Sequence, residues 1–159
     1  MPEITTALPL LGATALLAYL LGAIPFGMVI ARLFGLGNLR EIGSGNIGAT
    51  NVLRTGNKPA AALTLICDAG KAGVAVLIAR AALAEDAAQL AGFMAFLGHC
   101  FPVYPKFKGG KGVATYLGTL LALALPIGIG ACLIWLAIAR LFKISSLAAL
   151  MAALLTPAL

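Results

Sequence analysis

The stretch VATYLGTLLALALPIGIGACLIWLAIARLF, residues 113–142, decides how this chain folds. Read as one helix it is about 45 Å long, well beyond the roughly 30 Å hydrocarbon core of a bilayer. Read as two helices it is a hairpin that returns to the side it left. Pro126 stands inside the run and breaks the backbone ladder, which allows either reading. Charge separates them. Lys106, Lys108 and Lys111 precede the run, and Arg140 and Lys143 close it. Basic flanks collect on the cytoplasmic side, so both ends belong on one face and two crossings are needed. The spacing therefore predicts a short helix to about Leu125, a turn near Pro126 and a return helix to Phe142. The first arm has about 13 residues, roughly 20 Å, and must sit tilted or sunken.

The same reading extends to the rest of the chain. Of its 159 residues, 62% are hydrophobic and 10% charged, against about 25% charged in a soluble domain. A soluble fold of this size cannot cover so much apolar surface, so lipid must solvate much of it. Apolar runs at 4–34, 59–84, 87–104 and 145–159 add to the hairpin. The prediction is an all-α, polytopic transmembrane helical bundle of six spans, with residues 1–159 as a single integral membrane domain. Gly22 and Pro25 kink the first run. The opening Met1-Pro2-Glu3 has no basic region before its apolar run, so that run is read as a span and not a signal peptide. Arg40, Arg54 and Lys58 place the segment 35–58 on the cytoplasmic face, and Glu3, Glu85 and Asp86 fall outside. Arg80 stands near the outer end of the second span, where snorkelling or pairing with Glu85 accounts for it. The net charge of +6 reads as this topological bias and as attraction for anionic substrates, with no nucleic acid implied.

Three polar clusters need a chemical reason. GSGNIGATNVLR, residues 43–54, formally contains GxGxxG, but membrane spans flank it where a dinucleotide fold needs a strand and a βαβ unit. Its glycines let backbone approach a ligand, and successive N–H groups can form an anion-binding nest. Ser44, Asn46, Thr50 and Asn51 add short hydrogen-bonding side chains, and Arg54 a fork suited to phosphate. The alternative is a solvated glycine-rich turn. Asp68 and Lys71 lie inside the second span at i and i+3, on one helix face. Charges within a span point either to a ligand in a polar cavity or to an ion pair that fixes packing. Gly70 and Gly73 beside them allow close helix contact.

The third cluster is GHCFPVYPKFKGGKGVATYLG, residues 98–118. Lys108, Gly109, Gly110, Lys111 and Gly112 combine flexible backbone donors with ammonium groups. The spacing is not that of an NTP-hydrolysing loop, because Gly112 stands where a magnesium-binding hydroxyl would be. Phosphate binding fits, and so does a loop made basic by topology alone. Lys111 can also act with the N-terminal donors of the helix that follows. His99 is the only histidine. It is a candidate proton acceptor, or a structural imidazole. The fifth residue after it is Tyr104, so no HxxxxD acyltransferase dyad exists, and no Ser-His-Asp set can be assembled. Cys67, Cys100 and Cys132 lie in apolar runs and read as packing residues. No His/Cys/Asp cluster has metal-ligand spacing, so neither metal nor cofactor is expected.

The order and spacing of 43–54, of DAGKAG at 68–73 and of 98–118 resemble the acyl-phosphate:glycerol-3-phosphate acyltransferase (PlsY) family of bacterial membranes. The resemblance covers nearly the whole chain. It implies transfer of a fatty acyl group from acyl phosphate to the sn-1 hydroxyl of glycerol 3-phosphate, giving lysophosphatidate and phosphate, without direct use of acyl-CoA or acyl carrier protein. It also implies a seven-helix bundle in the bacterial inner membrane with its N-terminus outside. The family's functional positions fall on Ser44, Arg54, the loop glycines and Lys111. Family members carry a further motif near the C-terminus, with a histidine and an asparagine, that this sequence lacks. The expectation is a C-terminally partial chain, inactive or poorly active as it stands. Acyl phosphate is already activated, so holding both phosphates in place supplies much of the rate, and a substrate phosphate oxygen takes the proton in preference to His99. An organophosphate transporter would also want basic loops and intramembrane charge, but the sequence shows no repeat symmetry to support one.

Overall fold

The computed structural model describes residues 3–104 and 107–159. The placement of Met1, Pro2 and Lys106 expected above lies outside the described residues. The described chain is helical: α1 (Leu8–Gly22), α2 (Phe26–Leu33), α3 (Ala49–Leu53), α4 (Lys58–Ala82), α5 (Glu85–Cys100), α6 (Val113–Leu123), α7 (Leu125–Phe142) and α8 (Ser145–Leu155). The runs through α1–α2, α4 and α7 are each long and apolar enough to cross a bilayer, with mean hydropathies of 2.0, 1.7 and 2.0. α6 and the α8 segment are shorter apolar helices.

The deciding stretch is a hairpin. α6 ends at Leu123, Ala124 is extended, and α7 begins at Leu125 with Pro126 in its first turn, where a missing N–H costs nothing. The first run breaks at residues 23–25, ahead of Pro25, as its kink residues predict. The segment 35–58 is more ordered than expected. It holds a 3-10 turn at Leu39–Glu41 and the short helix α3. α4 starts where Asn57 Oδ1 accepts from Ala60 N at 3.0 Å, an N-terminal cap, with Pro59 in the first turn.

Packing is inverted relative to a soluble bundle. The core is alanine and small aliphatic: Ala18, Ala72, Ala75, Val76, Ala88, Ala91 and Ala95 form one cluster. Large side chains face outward; on α4, Ile66 is 66% exposed and Ala72 0%. Lipid is as apolar as leucine, so no hydrophobic gradient draws large residues inward, and close backbone packing holds the helices instead. A Cβ at Gly22 would strike the backbone of Ala95, one at Gly98 the carbonyl of Tyr19, and one at Gly118 the carbonyl of Ala69. These glycines set how closely α1 meets α5 and α4 meets α6. Gly73 also lies at the α4–α6 contact, but Gly70 meets nothing within 4 Å. Of the two glycines expected to tighten this helix contact, only Gly73 stands at it.

Alternating helix directions give the bundle two chemically different ends. One gathers the segment 35–57, the loop between α5 and α6, and the α7–α8 turn. The other gathers Thr5, Thr6, the α4–α5 turn and the α6–α7 turn. At this second end Arg80 pairs with Glu85 through Nε at 2.8 Å, as its position predicts. It also donates to the carbonyls of Ala122 at 2.6 Å and Leu123 at 3.1 Å. The C-terminal carbonyls of a helix have no partners of their own. α6 is only 11 residues long, about 16 Å, and Arg80 satisfies the end that stops short.

Asp86 closes the same end. Its carboxylate accepts from Thr5 N at 3.0 Å, Thr6 N at 2.8 Å and Thr6 Oγ1 at 2.7 Å, tying the start of α1 to the α4–α5 turn. Those bonds hold its carboxyl down to about 2, with the Thr6 backbone N–H the largest cause. The folded value is depressed, so the stabilisation is present above the unfolded value near 3.8 and is lost as pH falls through about 2. Thermal unfolding in detergent between pH 5 and 2 should therefore fall less steeply in Asp86→Asn than in the wild type.

Candidate active site

The first glycine-rich cluster folds back on itself through Asn51. This side chain is 2% exposed. Its Oδ1 accepts from Ser44 N at 3.1 Å and Ser44 Oγ at 3.3 Å, and its Nδ2 donates to Leu39 O at 3.0 Å and Asn46 O at 2.7 Å. Asn46 Oδ1 accepts from Gly48 N at 2.9 Å, and Gly45 N donates to Ile42 O at 2.9 Å. Asn46 and Asn51 turn into the loop and scaffold it, and the N–H groups of Ser44, Gly45 and Gly48 are bonded internally instead of forming an open nest. What this frame presents outward is Ser44, Thr50 and Arg54, all exposed. Gly43 has φ +52, and its Cα side is covered by the Arg54 stem and Asn51 Oδ1. No other residue both adopts that backbone and leaves Arg54 its place.

The second loop is seated on the end of α5. Gly110 N donates to His99 O at 3.1 Å, so this N–H, expected to face phosphate, is used to anchor the loop. A Cβ at Gly109 would strike the carbonyls of His99 and Cys100, and one at Gly110 the Nε2 edge of His99. Gly112 turns the chain into α6 with φ +77 and lies against Phe96 and Cys100. Lys108 and Lys111 are exposed on this loop.

One residue joins the two loops. Arg40 donates through Nη1 to Gly45 O at 3.2 Å and through Nη2 to Lys108 O. A single guanidinium therefore places both glycine-rich segments side by side at one end of the bundle, with Ser44 and Arg54 on one loop and Lys108 and Lys111 on the other. Sequence reading gave Arg40 a topological role only. Its position just before the first motif, outside any motif, offered no further signal.

Beneath the loops lies the charged group of the span. Asp68 and Lys71 are 2% and 4% exposed and pair at 3.2 Å, as their spacing predicts. Lys71 Nζ also donates to Ile24 O at 2.9 Å and meets His99 Nδ1 at 2.9 Å. The Phe26 ring lies 5.8 Å from the same ammonium, within cation–π range. His99 is 4% exposed. Of the three, His99 lies directly against Gly110 of the second loop.

Residues 12–159 match the family model described as glycerol-3-phosphate acyltransferase. The chain belongs to the glycerol-3-phosphate acyltransferase family. It is 71% identical over 157 residues to the glycerol-3-phosphate acyltransferase of Dinoroseobacter shibae, covering 99% of this chain and 77% of that one. It is 72% identical over 156 residues to that of a Jannaschia species, covering 98% and 77%. Among solved structures it resembles PlsY (YgiH), an integral membrane glycerol 3-phosphate acyltransferase, in its glycerol 3-phosphate form. The TM-score is 0.86 at 40% identity, over 92% of this chain and 74% of that one. The lysophosphatidic acid form of the same protein gives 0.82 at 37% identity. The motif resemblance and the all-helical membrane fold are thereby borne out, and this acyltransferase is an integral membrane enzyme.

Proposed function

We propose that this acyltransferase moves a fatty acyl group from acyl phosphate to the sn-1 hydroxyl of glycerol 3-phosphate, releasing lysophosphatidate and inorganic phosphate. The observation that carries the reading is the Arg40 bridge, which sets two cationic, glycine-built loops against each other at one end of a membrane bundle. Two phosphate-bearing reactants call for two such loops. Ser44 and Arg54 hold one phosphate, and Lys108, Gly109, Lys111 and Gly112 the other, with Thr50 at the margin. Arg54 presents a planar fork and Lys111 a compact charge, so both are suited to oxyanions. Asn46, Asn51, Asp68, Lys71 and Gly110 support these groups from within.

The acyl tail lies between helices, open to lipid. A groove of about 280 Å³ between α4 and α6, lined by Ala69, Gly70, Gly73, Leu77, Gly118 and Leu121, suits a hydrocarbon chain. It exists because Gly70 leaves its space empty. Orientation follows from charge: Arg40, Arg54, Lys58, Lys108, Lys111 and Lys143 gather at the loop end, while Glu85 and Asp86 lie at the other. The loop end therefore faces the cytoplasm in the bacterial inner membrane, and α1 starts outside.

The reaction breaks the acyl carbon–oxygen bond to phosphate and forms an ester to the glycerol oxygen. The hydroxyl proton leaves to an oxygen of a substrate phosphate. No protein nucleophile is required, since the mixed anhydride is already activated and alignment supplies the acceleration. The test is direct. Purified full-length protein supplied with acyl phosphate and labelled glycerol 3-phosphate should give an extractable lysophosphatidate and equimolar phosphate. Movement of label across vesicles with no lipid product would instead favour an organophosphate transporter.

A further inference from the structure

Lys71 stands at the common root of both anion loops, and resting on the acyltransferase reading, we propose that it is the positioning residue that sets the distance between them. One of its contacts holds the break between α1 and α2: its ammonium caps the freed carbonyl of Ile24 at 2.9 Å under the Phe26 ring. From that break α2 leads directly to the first loop, because Gly27 is packed so closely on the carbonyl of Ile47 that no side chain fits between them. Its other contact, His99 Nδ1 at 2.9 Å, holds the second loop: the His99 carbonyl accepts from Gly110 N, and its Nε2 edge bears on Gly110. Asp68 balances the charge at 3.2 Å. Its Oδ1 takes no well-angled hydrogen bond among the described residues, so its part is electrostatic.

A charged Lys71 is donor-only, so it pairs with the His99 tautomer whose Nδ1 accepts and whose ring proton is on Nε2; Asp68 Oδ1 lies 3.6 Å from the same nitrogen. Nδ1 then faces Lys71, and the Nε2 edge packs against Gly110. In this role His99 is a spacer between Lys71 and the second loop. A fold that needed only packing here would be served as well by apolar side chains, since a buried ion pair seldom stabilises more than its hydrophobic replacement.

The inference makes a kinetic split. Lys71 touches neither loop's outward groups, so its loss should leave the affinity for each phosphate substrate nearly intact and misplace one reactant against the other. A shift of about 1 Å costs on the order of 100-fold in rate. In full-length enzyme assayed with acyl phosphate and glycerol 3-phosphate, Lys71→Met should lower kcat about 100-fold with both KM values changed less than about threefold. Lys71→Arg, which keeps donors toward Ile24 and His99, should recover at least about tenfold of that loss. His99→Asn, whose Oδ1 can take over the Nδ1 contact, should keep kcat within about tenfold and retain the wild-type pH profile; removing a proton acceptor costs about 10²–10⁴-fold. Overturning results are a folded Lys71→Met enzyme with kcat within about threefold of wild type, a loss confined to KM, or a His99→Asn enzyme that loses the acid limb of its profile. Should Lys71→Met fail to fold, the Arg and Asn variants decide on the same criteria. Absence of lipid product from the wild type would overturn the acyltransferase reading and this proposal together; product from the wild type with any overturning variant result removes the proposal alone.

Discussion

Arg54→Ala in the full-length enzyme is expected to lower kcat/KM for glycerol 3-phosphate by about 10²–10³-fold, the size associated with removing one preorganised charge-assisted donor. Arg54 is exposed, and its side chain from Cδ to Nη1 lies against Gly43. The fork is therefore held in place before substrate arrives, and little ordering remains to be done on binding. Arg54→Lys should restore only part of the loss, because a single ammonium cannot make two parallel bonds. Thermal unfolding should be nearly unchanged, since the loop frame is held by Asn51 and Arg40. Steady-state kinetics at several glycerol 3-phosphate concentrations checks the claim, and wild-type constants would remove Arg54 from the site.

Gly118→Leu is expected to prevent the bundle from closing. The glycine lies on α6 where a Cβ would strike the backbone of Ala69. Neither side can yield without moving a helix, because the obstruction is main chain and not the far end of a side chain. Overpacking in a well-packed core costs about 1–3 kcal/mol, and a whole leucine against a backbone carbonyl exceeds that range. Expected are a large fall in detergent melting temperature, aggregation on solubilisation, and lost activity with all substrates alike. Gly70→Leu is the informative contrast. That position meets nothing within 4 Å, so folding should survive while the α4–α6 groove fills and preference shifts to shorter acyl chains.

The all-helical membrane fold and the order of its apolar helices were legible because each rests on a one-dimensional signal: apolar length, basic flanks and a proline in the right place. The hairpin at Pro126 followed from where charge could lie. The Asp68–Lys71 and Arg80–Glu85 pairs followed from spacing and proximity in the chain. The site was less legible. Ser44 and Arg54 come to the surface as expected, but Asn46, Asn51 and Gly110 belong to the same motifs and turn inward. A motif marks residues that act together without saying which face the ligand. Arg40 and the Lys71–His99 contact were hidden for a simpler reason. Each joins segments far apart in the chain, Arg40 to Lys108 and Lys71 to both Ile24 and His99, and no local spacing encodes such a meeting.

The partners of α1 arrive late. Gly22 rests on Ala95, Tyr19 meets Gly98 and Phe101, and Thr5 and Thr6 are held by Asp86. At ribosomal rates of about 5–20 residues per second, the first helix waits roughly 4–16 s for its docking surface. During that interval the seam it will turn to α5 faces acyl chains, the insertion machinery or the helices already made. Its alanine- and glycine-bearing stripe is then an adhesive surface presented early, and assembly of the nascent enzyme depends on nothing else in the crowded membrane claiming it first.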